Sequence, residues 1–188
     1  MATPWDFEGH LWRQWALAPD GIEALAPFLS QDKYVPGDVL QVLFHSLNPL
    51  GILDKFERFS QGMDEKKRTL FVAIEDWAND CVPLTRGVAH ELLHLWLKEN
   101  GLAQGTGGIL RPPCEMKPPS PCDSLVIWGE RDRIVPPECA SPLLKILPTA
   151  TAHSFPVGHA GLVVSDTARE HIWPTLDRWL KRTLSRTG

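Results

Sequence analysis

Apolar positions along the chain follow two different rhythms. Over the first hundred residues they recur at helical spacing. Val39, Leu40, Leu43, Phe44 and Leu47 predict a helix over 39–47. Asn48-Pro49 closes it, because the residue before a proline is pushed out of the α region. Ile52, Leu53, Phe56 and Phe59 share a face over 52–61, and Phe71, Ile74, Trp77 and Ala78 form a stripe within 66–80. Val88, Leu92, Leu95 and Trp96 line one side of a predicted helix over 85–99, which Asn100-Gly101 ends. Residues 11–30, broken by Pro19 and Pro27, predict short helices and turns, and 35–38 a turn. A Gly/Pro-rich connection follows over 101–122. Beyond it the rhythm changes. Ser124 to Trp128 and Thr151 to Phe155 are short apolar or β-branched runs of strand type, separated by a predicted helix over 140–147. A long helix over 166–184 closes the chain, with Ile172, Leu176, Trp179 and Leu180 facing inward and Asp166 or Thr167 as its N-cap.

Strand, helix, strand, helix at this spacing predicts two parallel strands and an α/β class. The expected organisation is a helical region over 1–110 and an α/β core segment over 111–188. Two parallel strands cannot bury both faces and both edges of a sheet. The chain is therefore expected to be one part of a larger sheet, with an apolar edge that promotes self-association when it is made alone.

Composition narrows the classes. The 188 residues carry a net charge of −4, with 43% hydrophobic and 22% charged residues. This is a globular composition without the basic excess of a nucleic-acid binder. No apolar run of about 18 residues is present to span a bilayer, and the first residues lack the pattern of a signal peptide. Cys81, Cys114, Cys122 and Cys139 have no zinc-site spacing and read as free thiols of a reducing cytoplasm. No metal site or cofactor is expected. Eight tryptophans against one tyrosine read first as core filling.

The chemistry lies in the two turns that follow the strands. Gly129-Glu130-Arg131-Asp132-Arg133-Ile134-Val135-Pro136 follows the first, and Gly158-His159-Ala160-Gly161 the second. An acid after one strand and a histidine after the next is the back half of a nucleophile–acid–histidine machine. Imidazole can take and return a proton near neutral pH, and the acid orients it. Gly158 and Gly161 are expected to permit the tight turn that exposes the ring. Glu130 is the alternative acid, and a surface salt-bridge knot around Arg131 and Arg133 is the competing reading. Neither Gly-x-Ser-x-Gly nor Gly-x-Cys-x-Gly occurs in the 188 residues. Cys81 lacks the strand–turn–helix setting of a nucleophile. Glu75 and Asp76 point apart on their helix and read as anchors, Asn79 and Asp80 as caps of the turn before Thr85.

These turns, with a helical segment before them, resemble the α/β-hydrolase superfamily. Thr3-Pro4-Trp5-Asp6-Phe7, Gln41-x-x-Phe44-x-x-x-Asn48-Pro49, Lys55-Phe56 and above all Phe71-x-x-x-Glu75-Asp76-Trp77-x-Asn79-Asp80-x-Val82-Pro83-Leu84 resemble polyhydroxyalkanoate synthases across nearly the whole chain. The resemblance implies a partial α/β-hydrolase fold, a helical cap followed by the last two parallel strands and their helices. It implies an acyltransferase that polymerises 3-hydroxyacyl groups from coenzyme A thioesters, with the thioester as substrate rather than cofactor. Asp132 and His159 match the family's acid and base. Its cysteine nucleophile would lie upstream of Met1, so an N-terminal half or partner subunit is implied and the chain alone is expected to be inactive. The polyester chain is the other implied partner, and the cytoplasm or a polyester granule surface the implied location. The alternatives are an esterase or depolymerase segment, and a non-catalytic remnant that binds a partner subunit or a granule. The chain departs from the family at Cys81, where glycine is usual, and in the single glycine before His159.

Overall fold

The computed structural model describes residues 1–27, 34–106, 123–147 and 149–185. Cys114, Cys122 and most of the Gly/Pro-rich connection lie outside them. The chain forms two compact units, Met1–Gly21 with Glu91–Gly188, and Ile22–His90.

The unit over 22–90 is helical. After α1 (Leu11–Leu17) of the other unit, it holds β1 (Tyr34–Val35), α2 (Gly37–Ser46), α3 (Pro49–Ser60), α4 (Glu65–Asn79), β2 (Leu84–Thr85) and all but the last residue of α5 (Arg86–Glu91). Pro49 starts α3, where a missing N–H costs nothing. Asp64 caps α4 by accepting the Lys67 N–H. Phe71 joins the two helices: it stacks on Phe59 at 4.7 Å and meets Phe56 edge-on at 6.0 Å. Lys55 pairs with Glu75 at 2.7 Å, so Glu75 anchors one helix of this unit to another. The antiparallel pairing of β1 with β2 has no clear signal in the sequence. Trp77, expected on the buried stripe, is 75% exposed. Asn79 is no cap of the next turn; its side-chain amide donates back to the Glu75 carbonyl.

In the other unit, α1 (Leu11–Leu17) follows an extended start, and residues Leu92–Lys98 wind in wider, π-type turns before the short α6 (Gly101–Gln104). The Glu99 N–H donates to the His94 carbonyl five residues back. That widening turns the buried face to Leu93 and Leu97, away from the expected Leu92, Leu95, Trp96 set. Asn100 ends the winding with a left-handed backbone, φ 52°.

Strands β3 (Leu125–Gly129) and β4 (Thr151–Phe155) pair in parallel, from Leu125 opposite Thr151 to Gly129 opposite Phe155. The connection between them is α7 (Pro137–Ala140) and a 3-10 turn over Ser141–Lys145, in place of the single predicted helix. On the other side of β3, the Ala2 N–H donates to the Ile127 carbonyl at 2.8 Å. Within β4, Ala152, His153 and Ser154 are exposed. The closing segment runs through α8 (Gly161–Val164), a wide turn at Ala168–Ile172 and α9 (Trp173–Leu184). Ser165, rather than Asp166 or Thr167, caps it: its Oγ accepts the Ala168 N–H at 3.0 Å. Ile127, Val157, Leu162, Ala168 and Ile172 form one buried cluster, and Val135, Cys139 and Ala140 a second. Described on its own, this is a mixed helix and sheet arrangement compatible with part of an α/β fold.

Candidate functional site

The turns after β3 and β4 are stitched together at the backbone. Glu130 N–H donates to Phe155 O at 2.8 Å, and Arg131 N–H to Val157 O at 3.1 Å. Parallel pairing brings the carboxyl ends of both strands to the same rim, so residues a few positions beyond each end meet. Gly129 permits the approach, since a Cβ there would overlap the Val157 carbonyl oxygen. Gly158 and Gly161 serve the turn without a left-handed backbone: a Cβ on Gly161 would lie 3.0 Å from the Val157 Cβ, whereas one on Gly158 would meet only the Arg131 carbonyl oxygen at 3.6 Å. Among the described residues the glycines with left-handed backbone are Gly62 and Gly105.

Asp132 and His159 come together at this rim. Oδ2 of Asp132 lies 2.9 Å from Nδ1 of His159. The Asp132 side chain is fully buried, while the His159 side chain is 40% exposed. The other carboxylate oxygen, Oδ1, accepts the backbone N–H groups of Ile134 at 2.9 Å and Val135 at 2.8 Å. The acid is therefore held by three donors in a tight loop, which replaces the solvation it loses on burial. A carboxylate only accepts, so the neutral imidazole carries its proton on Nδ1 and presents a lone pair at Nε2. Among the described residues Nε2 meets no hydrogen-bond partner. Glu130 does not compete for the ring: its Oε1 accepts the Ser154 hydroxyl at 2.7 Å.

Of the two described cysteines, neither stands as a nucleophile at this rim. Cys139 is fully buried, and burial pushes its thiol up to about 12, with Glu138, Asp6 and Asp132 adding to the rise. Cys81 belongs to the other unit, just beyond α4. Among the described residues no cluster of three or more His, Cys, Asp or Glu side chains could hold a metal ion.

Two buried polar residues of the same unit, His10 and Asn100, had no candidate role in the sequence. His10 is 2% exposed. Its Nδ1 accepts the Trp12 N–H at 3.1 Å as the N-cap of α1, and its Nε2 lies 3.1 Å from the Ile134 carbonyl oxygen. Nδ1 is an acceptor, so Nε2 carries the proton and donates. Desolvation lowers the His10 pKa below 6.5, against the raising effects of Ile134, Glu138 and Asp132. Asn100, 1% exposed, accepts the Phe7 N–H at 2.8 Å and donates to Asp6 Oδ1 at 2.9 Å. The available signal for His10 was its position just ahead of an apolar helical run. For Asn100 it was the Asn-Gly pair, which marks a helix end without showing what the side chain reaches.

The chain is similar to poly(3-hydroxyalkanoate) polymerase subunits PhaC. It is 30% identical to the Synechocystis sp. subunit over 192 residues, which take in 96% of this chain and 50% of that protein. It is 24% identical to the Haloarcula marismortui subunit, over 77% of this chain and 31% of that protein. For Haloferax mediterranei the figures are 25%, 82% and 32%. The chain thus spans from about a third to half the length of these relatives. No family model and no solved structure matches it. No helix among the described residues is long and apolar enough to cross a membrane.

Proposed function

We propose that this chain supplies the acid and base of a polyhydroxyalkanoate-synthase-like acyltransferase with an α/β-hydrolase core. The observation that carries the reading is the buried Asp132 carboxylate on Nδ1 of a half-exposed His159, in a chain similar to PhaC polymerase subunits.

In this reading His159 is the general base and Asp132 holds its tautomer and stabilises its charged form. A cysteine thiol from a Gly-x-Cys-x-Gly elbow outside these 188 residues gives its proton to Nε2 and attacks the thioester carbonyl of a 3-hydroxyacyl-CoA. The tetrahedral intermediate collapses to an acyl-cysteine, and the coenzyme A thiolate leaves with the proton from the imidazolium. His159 then takes the proton of a second 3-hydroxyl, whose oxygen attacks the acyl-cysteine. An ester bond forms and the thiol is regenerated. The growing polyester is the second substrate, and the surface of a polyester granule the place of work.

The test combines the chain with a polypeptide that carries the Gly-x-Cys-x-Gly elbow and its preceding strands, and follows thiol release from 3-hydroxybutyryl-CoA. Release is expected from the pair and not from either part alone, and His159→Ala abolishes it. Equal release with His159→Ala refutes the assignment. Turnover that requires a serine elbow and a simple ester, with no reaction of the thioester, points to an esterase instead.

A further inference from the structure

The Asp132 carboxylate has imidazoles on two sides, and only one of them touches it. The peptide unit between Ile134 and Val135 is held at both ends. Its N–H, on Val135, donates to Asp132 Oδ1 at 2.8 Å, and its carbonyl oxygen, on Ile134, lies 3.1 Å from His10 Nε2. The chain of donors is continuous. The Trp12 N–H at the start of α1 donates to His10 Nδ1, His10 Nε2–H to the peptide carbonyl, the peptide N–H to Asp132, and His159 Nδ1–H meets the other carboxylate oxygen. From Trp12 through His10 and the peptide to Asp132, each bond withdraws electron density from the group that donates the next, so these three bonds strengthen one another, while His159 donates to the same carboxylate from the other side. The first donor is an end-of-helix N–H, where partial positive charge collects. His10 is 124 residues from Ile134 in sequence and almost wholly buried, at 2% exposure. A buried imidazole with both nitrogens engaged has one usable orientation.

We infer that His10 is a positioning residue of the candidate site: it fixes the Ile134–Val135 peptide through Nε2–H and thereby holds Asp132 on His159. The inference rests on the acid–base reading of Asp132 and His159. It does not need turnover for its test.

Two substitutions separate the two ends of the His10 ring. His10→Asn keeps an acceptor for the Trp12 N–H, since asparagine is a favoured N-cap, and is too short to reach Ile134. His10→Gln can place an N–H near the position of Nε2 and loses the cap. In the full chain, amide hydrogen exchange at Trp12 and Val135 is followed together with the nitrogen-15 shifts of His159. In His10→Asn, Val135 is expected to exchange about 10-fold faster while Trp12 stays protected, the scale of one lost hydrogen bond in local stability. The His159 ring should change from the Nδ1–H form to a mixture of tautomers. His10→Gln keeps Val135 protected and the Nδ1–H form. Should His10→Asn fail to fold, His10→Gln decides alone: a native His159 signal upholds the inference, and a mixed one overturns it. Unchanged Val135 exchange and an unchanged His159 tautomer in a folded His10→Asn also overturn it. In the two-part assay, His10→Asn is expected to lower kcat about 10-fold at constant KM. Absence of turnover in the unsubstituted pair counts against the proposed function and leaves the exchange result standing.

Discussion

The carbonyl oxygen of Val157 occupies the space where a side chain on Gly129 would begin. This contact lets the turn after β3 close onto the turn after β4, with Arg131 N–H bonded to the same carbonyl. Gly129→Ala forces the two turns apart. The expected cost is about 1–3 kcal/mol, as for other overpacked sites. It is read as a lower denaturation midpoint at unchanged slope, together with loss of the His159 Nδ1–H signal.

Asp132→Asn tests the acid without removing its volume. One amide oxygen can still accept from Ile134 and Val135, and the amide nitrogen then faces His159. An N–H group cannot accept the Nδ1 proton, so the ring is expected to adopt the Nε2–H tautomer. Nitrogen-15 shifts of His159 report this directly. In the two-part assay kcat should fall by about 10⁴-fold, the scale known for the wrong tautomer in a triad. A loss of less than about 10-fold removes Asp132 from the proposed role.

His10 sets an acid limit on stability. Its folded pKa is lowered by desolvation, with Glu138 and Asp132 facing it and opposing the shift. The unfolded chain therefore binds a proton at a higher pH than the folded chain. The stabilising contribution is complete well above pH 6.5 and is lost as pH falls from about 6.5 towards the lowered folded value. Melting temperature should fall over that interval. His10→Asn should flatten the part of the slope due to this group, and an unchanged slope in that variant contradicts the assignment.

Asn100 combines a left-handed backbone with two side-chain hydrogen bonds to Asp6 and Phe7. Asn100→Ala adds backbone strain to a buried Phe7 N–H left without its partner. A cost of about 2–4 kcal/mol is expected. Asn100→Gly relieves the strain and keeps the orphaned donor, so it should cost less than alanine. Denaturant midpoints of the two variants give the order, and glycine equal to or worse than alanine rejects this account.

Cys139 should resist thiol reagents in the folded chain, because it is both shielded and held at about 12. Peptide mapping after labelling at pH 8 is expected to find it unmodified until denaturant is added. Half-buried Cys81 should react first of this pair. Native labelling of Cys139 at the rate of Cys81 would contradict the buried placement.

The sequence was legible wherever a local pattern sufficed. Strands β3 and β4, helices α2, α3 and α4 and the long closing helix lie within a few residues of their predicted positions, because hydrophobic period and proline positions act within one segment. Asp132 and His159 could be singled out as an acid and a base because each stands in the turn after a strand. Their meeting at 2.9 Å depends on the parallel register of β3 and β4 and on the close approach at Gly129. Other features carried no such signature. The β1–β2 pairing, the π-type turns over Leu92–Lys98 and the exposure of Trp77 depend on neighbours that no local period encodes.

What the sequence determined by itself was the longer helices, strands β3 and β4, and the chemical types at their ends. Only the tertiary structure decided that Glu130 turns to Ser154 while Asp132 meets His159, and that His10 grips the loop holding the acid. The physical reason is range. Periodicity and capping are settled by contacts a few residues apart, whereas each of these choices is made by a hydrogen bond between residues from 24 to 124 positions apart, satisfied only when the strands and the N-terminal segment have packed.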